Sequence, residues 1–198
     1  MAPKRLKGAG AFPKPVENPA PIPPSPTELY AALDLGTNSC RMLIAQPKSS
    51  QFHVVDSFSK SVQLGTGLEK TGRLSHSSMQ RTIHALRVCQ LKLKQHDVTR
   101  MRLVATEACR RAANASEFIR QVKREAGLQL EIIEPEEEAR LAVISCAPLV
   151  STKTEQLLVV DIGGGSTELV WIDLSSVPKR ERPRAIMRLH AGFHPAES

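Results

Sequence analysis

Aromatic residues are scarce in this chain. Five Phe, one Trp and one Tyr make up 4% of 198 residues. A core must therefore rest on Leu, Ile, Val and Ala, and the aromatic set on which single-stranded nucleic acids stack is missing. No apolar run approaches the roughly 18 residues of a membrane-crossing helix. Lys4, Arg5 and Lys7 are basic, but no apolar stretch follows them, so no secretory signal is expected. The four cysteines, Cys40, Cys89, Cys109 and Cys146, form no C-x-x-C pair and have no zinc-ligand spacing. They fall in apolar stretches and read as reduced, buried thiols of a cytoplasmic protein. The six histidines are scattered and read as surface or packing residues rather than ligands.

What is abundant is positive charge, a net +7. Such a balance favours polyanionic partners: nucleic acid, anionic lipid or polyphosphate. Much of it sits near the ends, in Lys4, Arg5, Lys7 and Lys14 and again in Lys179, Arg180, Arg182, Arg184 and Arg188. No helix carries clustered basic residues, which argues against nucleic acid.

Pro19, Pro21, Pro23, Pro24 and Pro26 crowd the first 28 residues, a composition that predicts a disordered or polyproline-like tail over 1–28. Folded structure is expected from Leu29. Strands are predicted at residues 30–33, 41–45 and 52–62, with Gly65, Gly67 and Gly72 marking a loop. Ser75 is a plausible N-cap for a helix whose apolar residues repeat over 79–93. A strand at 101–106, a helix at 116–126 stopped by Gly127, a strand at 130–133 and a helix at 136–149 follow. Strands at 157–162, 167–173 and 184–189 complete the reading. Alternation of strands and helices predicts an α/β domain around a mixed sheet.

Two turns stand out: Asp34-Leu35-Gly36-Thr37-Asn38-Ser39 and Asp161-Ile162-Gly163-Gly164-Gly165-Ser166-Thr167-Glu168. Each has an Asp at a strand end, then glycine, then hydroxyls. Glycine lets the backbone approach an anion so that successive N–H groups point at phosphate oxygens, and Ser and Thr add donors. The Asp is placed to bind Mg²⁺, which prefers oxygen ligands. A pair of tight β-turns is the plain alternative; three consecutive glycines before Ser-Thr-Glu are uncommon in one.

Glu136, Glu137 and Glu138 open a helix. A carboxylate there could aim water at phosphorus, or all three could complement the helix dipole, and the pattern does not choose among them. Arg110 and Arg111 follow a strand, where an Arg can stabilise phosphate charge or lie on a helix surface. Glu168 reads as a solvated strand residue or as a metal or water ligand.

The segments Y-A-A-L-D-L-G-T-N-S, A-T-E-A-C-R-R-A-A-N, E-E-E-A-R-L and D-I-G-G-G-S-T-E-L, in this order, resemble the exopolyphosphatase/guanosine-pentaphosphate phosphohydrolase (Ppx/GppA) family, over about residues 29–174. The resemblance implies a ribonuclease-H-like, actin-like ATPase domain. Its mixed five-stranded sheet is flanked by helices in the order βββαβαβα, with extra C-terminal strands. It implies release of terminal phosphate from inorganic polyphosphate or from guanosine pentaphosphate (pppGpp to ppGpp), with Mg²⁺ or another divalent cation. Glu138 aligns with the family's catalytic Glu and Arg110 with its phosphate-facing Arg. Asp161 and Glu168 would hold the cation, Asp34 contributing. Gly36, Thr37, Asn38 and Ser39 would grip phosphate together with Gly163, Gly164, Gly165, Ser166 and Thr167. Arg140 reads as an ion-pair partner and Asn114 as a helix cap. Family members often carry another residue where this chain has Glu107, which is left without a role.

A cytoplasmic setting, no membrane partner and room for a homodimer go with the resemblance. Members continue through a second domain that closes the cleft. Residues 175–198 depart from the family pattern and are expected to be a divergent or truncated segment. A non-catalytic phosphate- or nucleotide-binding module, or an ATPase or kinase of the same superfold, are the alternatives.

Overall fold

The computed structural model describes residues 28–48, 51–165 and 167–187, and for Glu168, Pro183, Arg184 and Met187 the backbone alone. The tail expected over 1–28 lies outside the described residues except for Glu28, which pairs with Arg100 at 2.6 Å. Residues 188–198 also lie outside them.

The central strand β1 (Tyr30–Leu35) alternates: Ala31, Leu33 and Leu35 are buried while Ala32 and Asp34 are exposed. It pairs antiparallel with β2 (Ser39–Lys48), which pairs antiparallel with β3 (Gln51–Ser61). On its other side β1 pairs parallel with β4 (Arg100–Ala105), and β4 with β5 (Glu131–Ile132). The sheet order is β3-β2-β1-β4-β5, the mixed ribonuclease-H-like arrangement that the resemblance implies.

Two helices cover one face. In α2 (His76–Gln95) the side chains of Met79, Ile83, Leu86, Cys89 and Leu93 are buried at helical spacing, and the Ser75 side chain accepts the N-cap bond from Ser78 N at 3.2 Å. In α4 (Ala115–Ala126) Phe118, Val122 and Ala126 are buried, and Gly127 ends the helix at φ 67°. Each large apolar side chain so buried contributes roughly 1.5–3 kcal/mol. Two one-turn helices, α1 (Leu68–Thr71) and α3 (Glu107–Arg111), interrupt stretches expected to be irregular.

Beyond β5 the chain builds a second packing cluster. Helix α5 (Pro135–Ser145) contributes Ala139 and Val143. The hairpin of β6 (Gln156–Ile162) and β7 (Thr167–Asp173) contributes Val159, Val170 and Ile172. The two strands form a sheet of their own, so the 29–174 span holds two clusters. The hairpin's other face exposes Leu158, Val160, Leu169 and Trp171.

Three local readings change. The helix expected to reach residue 149 ends at Ser145, and Ala147–Leu149 tightens into a 3₁₀ turn where Pro148 has no N–H to give. The strand expected at 184–189 is instead helical over Arg182–Met187, termed α6. There the buried residues Arg182 and Ile186 recur at helical spacing, and Arg182 donates to Val177 O and Thr154 O at 3.1 Å each. Asn114 makes no side-chain cap bond to α4. Its amide instead clasps Leu74, accepting from Leu74 N at 2.8 Å and donating to Leu74 O at 3.0 Å.

The site lies at the carboxyl ends of the parallel strands, where open α/β sheets bind ligands. Thr106 N donates to Leu35 O and Ile133 N to Ala105 O, both at 3.1 Å, lashing the ends of β1, β4 and β5 together.

Candidate active site

The first turn joins β1 to β2 and is held from one side. Gly36 N donates to Ser39 O at 2.9 Å, while the carbonyls of Thr37 and Asn38 accept from Gly65 N at 2.9 Å and from Val62 N and Gln63 N at 2.8 and 2.9 Å. With those carbonyls occupied, the Thr37 and Asn38 N–H groups have no partner among the described residues. The same is true of the Gly163, Gly164 and Gly165 N–H groups in the β6–β7 turn. Thr37 Oγ1 is buried and likewise unpartnered. The buried Thr37 hydroxyl lacks a partner at a cost, and successive accessible backbone N–H groups beside it are suited to an anion.

The two turns touch. A Cβ on Gly164 would stand 2.8 Å from Asn38 Cβ, and one on Gly165 would stand 2.7 Å from Thr37 Oγ1. Here glycine is required by close approach rather than by backbone conformation, since neither residue has positive φ. Between the turns lies a cavity of about 350 Å³. Asp34, Asp161 and Glu138 line it together with residues 36–39 and 163–165.

The structure separates the three glutamates of α5. Glu136 is exposed. Glu137 accepts from Arg140 Nε at 2.6 Å, Arg140 Nη2 at 2.9 Å and Arg102 Nη1 at 2.7 Å. The Arg140 hydrogen bonds, and then Arg102, hold its carboxyl down to about 2. Glu138 alone of the three reaches the cavity. Arg110 stands one layer back. Its Nη1 donates to Glu138 Oε2 at 2.7 Å and to Ile133 O at 2.8 Å, and its Nη2 to Glu107 Oε2 at 3.2 Å.

Ser166 lies outside the described residues, as does the side chain of Glu168, and Thr167 is an exposed β7 residue paired with Ile162. Thr106 and Glu107 line the cavity on the rim that their place beside Arg110 suggests, and Arg41 lines it unexpectedly. Arg41 had a signal: it lies two residues beyond Ser39 on the same strand, hence on the same face. Glu107 had only its place on the rim beside Arg110, with no role attached to it.

Among the described residues no three His, Cys, Asp or Glu side chains form a closed metal cage. Asp34 and Asp161 do share the cavity. Desolvation raises the Asp34 carboxyl above the ordinary Asp range; Arg41 opposes this and the Asp161 charge adds to it. Two carboxylates lining one cavity offer the oxygen ligands that suit Mg²⁺, which keeps waters and takes its remaining oxygens from substrate phosphates.

Known proteins place this geometry. The model of the Ppx/GppA phosphatase family matches residues 43–187. A solved Ppx/GppA family member from Aquifex aeolicus is 40% identical over 75% of this chain and 48% of its own, with a TM-score of 0.65. A solved exopolyphosphatase-like protein is 35% identical over 77% of this chain and 47% of its own, with a TM-score of 0.69. An exopolyphosphatase from Cytophaga hutchinsonii is 26% identical over 75% of this chain and 47% of its own, with a TM-score of 0.70. This chain thus spans about half the length of these solved relatives. Among the described residues no helix is long and apolar enough to cross a membrane. By its matched sequence, its shared fold and the meeting of its two glycine turns, the chain belongs to the Ppx/GppA phosphatase family.

Proposed function

We propose that the chain carries the phosphate-gripping and water-activating part of a phosphoanhydride hydrolase. The observation behind this reading is that Glu138 and both turns line one cavity, the turn N–H groups having no partner among the described residues.

The terminal phosphoryl group would sit between the turns, its oxygens taking hydrogen bonds from the backbone of residues 37–38 and 163–165 and from Thr37 Oγ1. Ser39, which lines the same cavity, would extend the donor set, and so would Ser166 and Thr167 by their place in the sequence. Asp34, Asp161 and Glu168 would hold a divalent cation, which supplies charge neutralisation for the phosphates when bound. The Glu138 carboxylate takes a proton from a water, and that oxygen bonds to the terminal phosphorus. The bridging P–O bond breaks, and its electron pair leaves with the shortened phosphate chain. Arg110 stabilises the charge on the transferring group. Linear polyphosphate and guanosine pentaphosphate both offer the terminal group this requires. Four free thiols fit a cytoplasmic setting.

A second reading rests on Arg110, whose guanidinium is engaged by Glu138 and Glu107: held there, it would leave the site to bind the anion without turning it over. The test is phosphate release with Mg²⁺ from tripolyphosphate, long polyphosphate and guanosine pentaphosphate, with calorimetry alongside. Glu138→Gln should abolish release while preserving binding. Unchanged release in that variant rejects the role of Glu138; binding without release by the unaltered chain favours the second reading.

A further inference from the structure

The Arg110 guanidinium is shared between two carboxylates on different elements. Glu138 of α5 takes Nη1 at 2.7 Å and Glu107 of α3 takes Nη2 at 3.2 Å. Exposure of the three side chains is only 10% for Arg110, 20% for Glu107 and 19% for Glu138. Arg111 approaches Glu107 at 3.5 Å, so the charges run in a chain, Arg111–Glu107–Arg110–Glu138. The backbone beneath Glu107 is held, because the neighbouring Thr106 N donates to Leu35 O at 3.1 Å.

This arrangement meets a conflict in the proposed reaction, on which the present inference rests. Glu138 must accept a proton from water, yet in this structure one of its oxygens is engaged by Arg110. Arg110 must face phosphate, yet a half-buried guanidinium stripped of its carboxylate is heavily destabilised. Glu107 resolves both demands. Arg110 can pass Nη1 from Glu138 to an incoming phosphate while Nη2 stays on Glu107, so its charge is compensated throughout. A carboxylate lining an anion cavity otherwise works against binding. Its presence beside Thr37 and Glu138 needs a reason of this kind.

We propose that Glu107 is a positioning residue that moors Arg110, turning the cation toward substrate phosphate and releasing Glu138 to act as base. A plain surface i,i+3 pair would add little to stability and would leave turnover untouched.

The experiment compares the unaltered chain with Glu107→Gln and Glu107→Asp in tripolyphosphate hydrolysis with Mg²⁺. Glu107→Gln should lower kcat by about 10- to 100-fold, the scale of a misplaced catalytic group. KM should stay level or fall, because a negative charge beside a polyanion has been removed. Glu107→Asp should recover part of kcat. Unchanged kcat in Glu107→Gln, or a change in KM alone, overturns the proposal. Should the unaltered chain release no phosphate, the hydrolase reading fails while this one stays testable by NMR of the Arg110 guanidinium, assigned through Arg110→Lys. With Mg²⁺ and tripolyphosphate added, its two terminal nitrogens should stay distinct in the unaltered chain and average in Glu107→Gln. Identical behaviour in the two overturns the mooring role.

Discussion

Gly165→Ala probes the meeting of the two turns. The added methyl would stand 2.7 Å from Thr37 Oγ1 and 3.2 Å from both Thr37 Cβ and Cγ2. Thr37 cannot retreat, because a Cβ built on Gly65 on its other side would lie 2.4 Å from the same Cγ2. It is also β-branched and stiff at χ1. The methyl must be accommodated by backbone movement, and overpacking of this kind costs about 1–3 kcal/mol. The cheapest relief is for the β6–β7 turn to draw away from the first turn, since each belongs to its own packing cluster. The N–H groups would then no longer converge, and affinity for tripolyphosphate with Mg²⁺ should fall by about 5- to 150-fold, tenfold per 1.4 kcal/mol. Calorimetry reads this directly. Thr37→Ala combined with Gly165→Ala should regain thermal stability but not affinity, because the hydroxyl donor is lost. If Gly165→Ala bound tripolyphosphate as tightly as the unaltered chain, the inference that close approach of the turns forms the anion site would be wrong.

Asn114→Ala should destabilise the fold by about 2–4 kcal/mol in urea unfolding, because the Leu74 N–H and C=O clasped by this buried amide lose their partners. A change below about 0.5 kcal/mol would mean that the clasp is dispensable. Glu137 links stability to acid. Its carboxyl pKa is lowered from 4.5 to about 2, so its contribution is fully present above pH 4.5 and disappears as pH falls through 2. Solvent screening limits this to about 1 kcal/mol. Arg140→Met should therefore lower the urea midpoint at pH 6, with the gap to the unaltered chain closing by pH 2. A gap independent of pH would argue that the Arg140 stem, rather than its ion pair, supplies the stabilisation.

Much of the fold could be read along the chain because its signals are local. Ser75 caps α2 through its own hydroxyl, Gly127 stops α4 in the left-handed region, and β1 alternates buried and exposed residues. Residues 184–189 suggest a strand because six residues are too few to separate alternation from helical spacing, yet 184–187, the described part, is helical. Packing of Ile186 against α5 and the anchoring of Arg182 determine the outcome there. Asn114 stands in a cap position, but its amide is drawn to Leu74, 40 residues away, a competition invisible to local rules.

The site divides along the same line. Asp34, Asp161, the glycines and the hydroxyls are legible because phosphate chemistry demands those residue types next to one another in the chain. Three consecutive glutamates are equivalent as letters, and only packing distinguishes them. Helix α5 directs Glu136 to solvent, Glu137 to Arg140 and Arg102, and Glu138 to the cavity and Arg110. The role proposed for Glu107 has no trace in the letters, since it depends on α3 and α5 bringing two carboxylates to one guanidinium. Chemistry carried by neighbours in the chain is written in their order, whereas chemistry shared across elements appears when burial brings distant charges together.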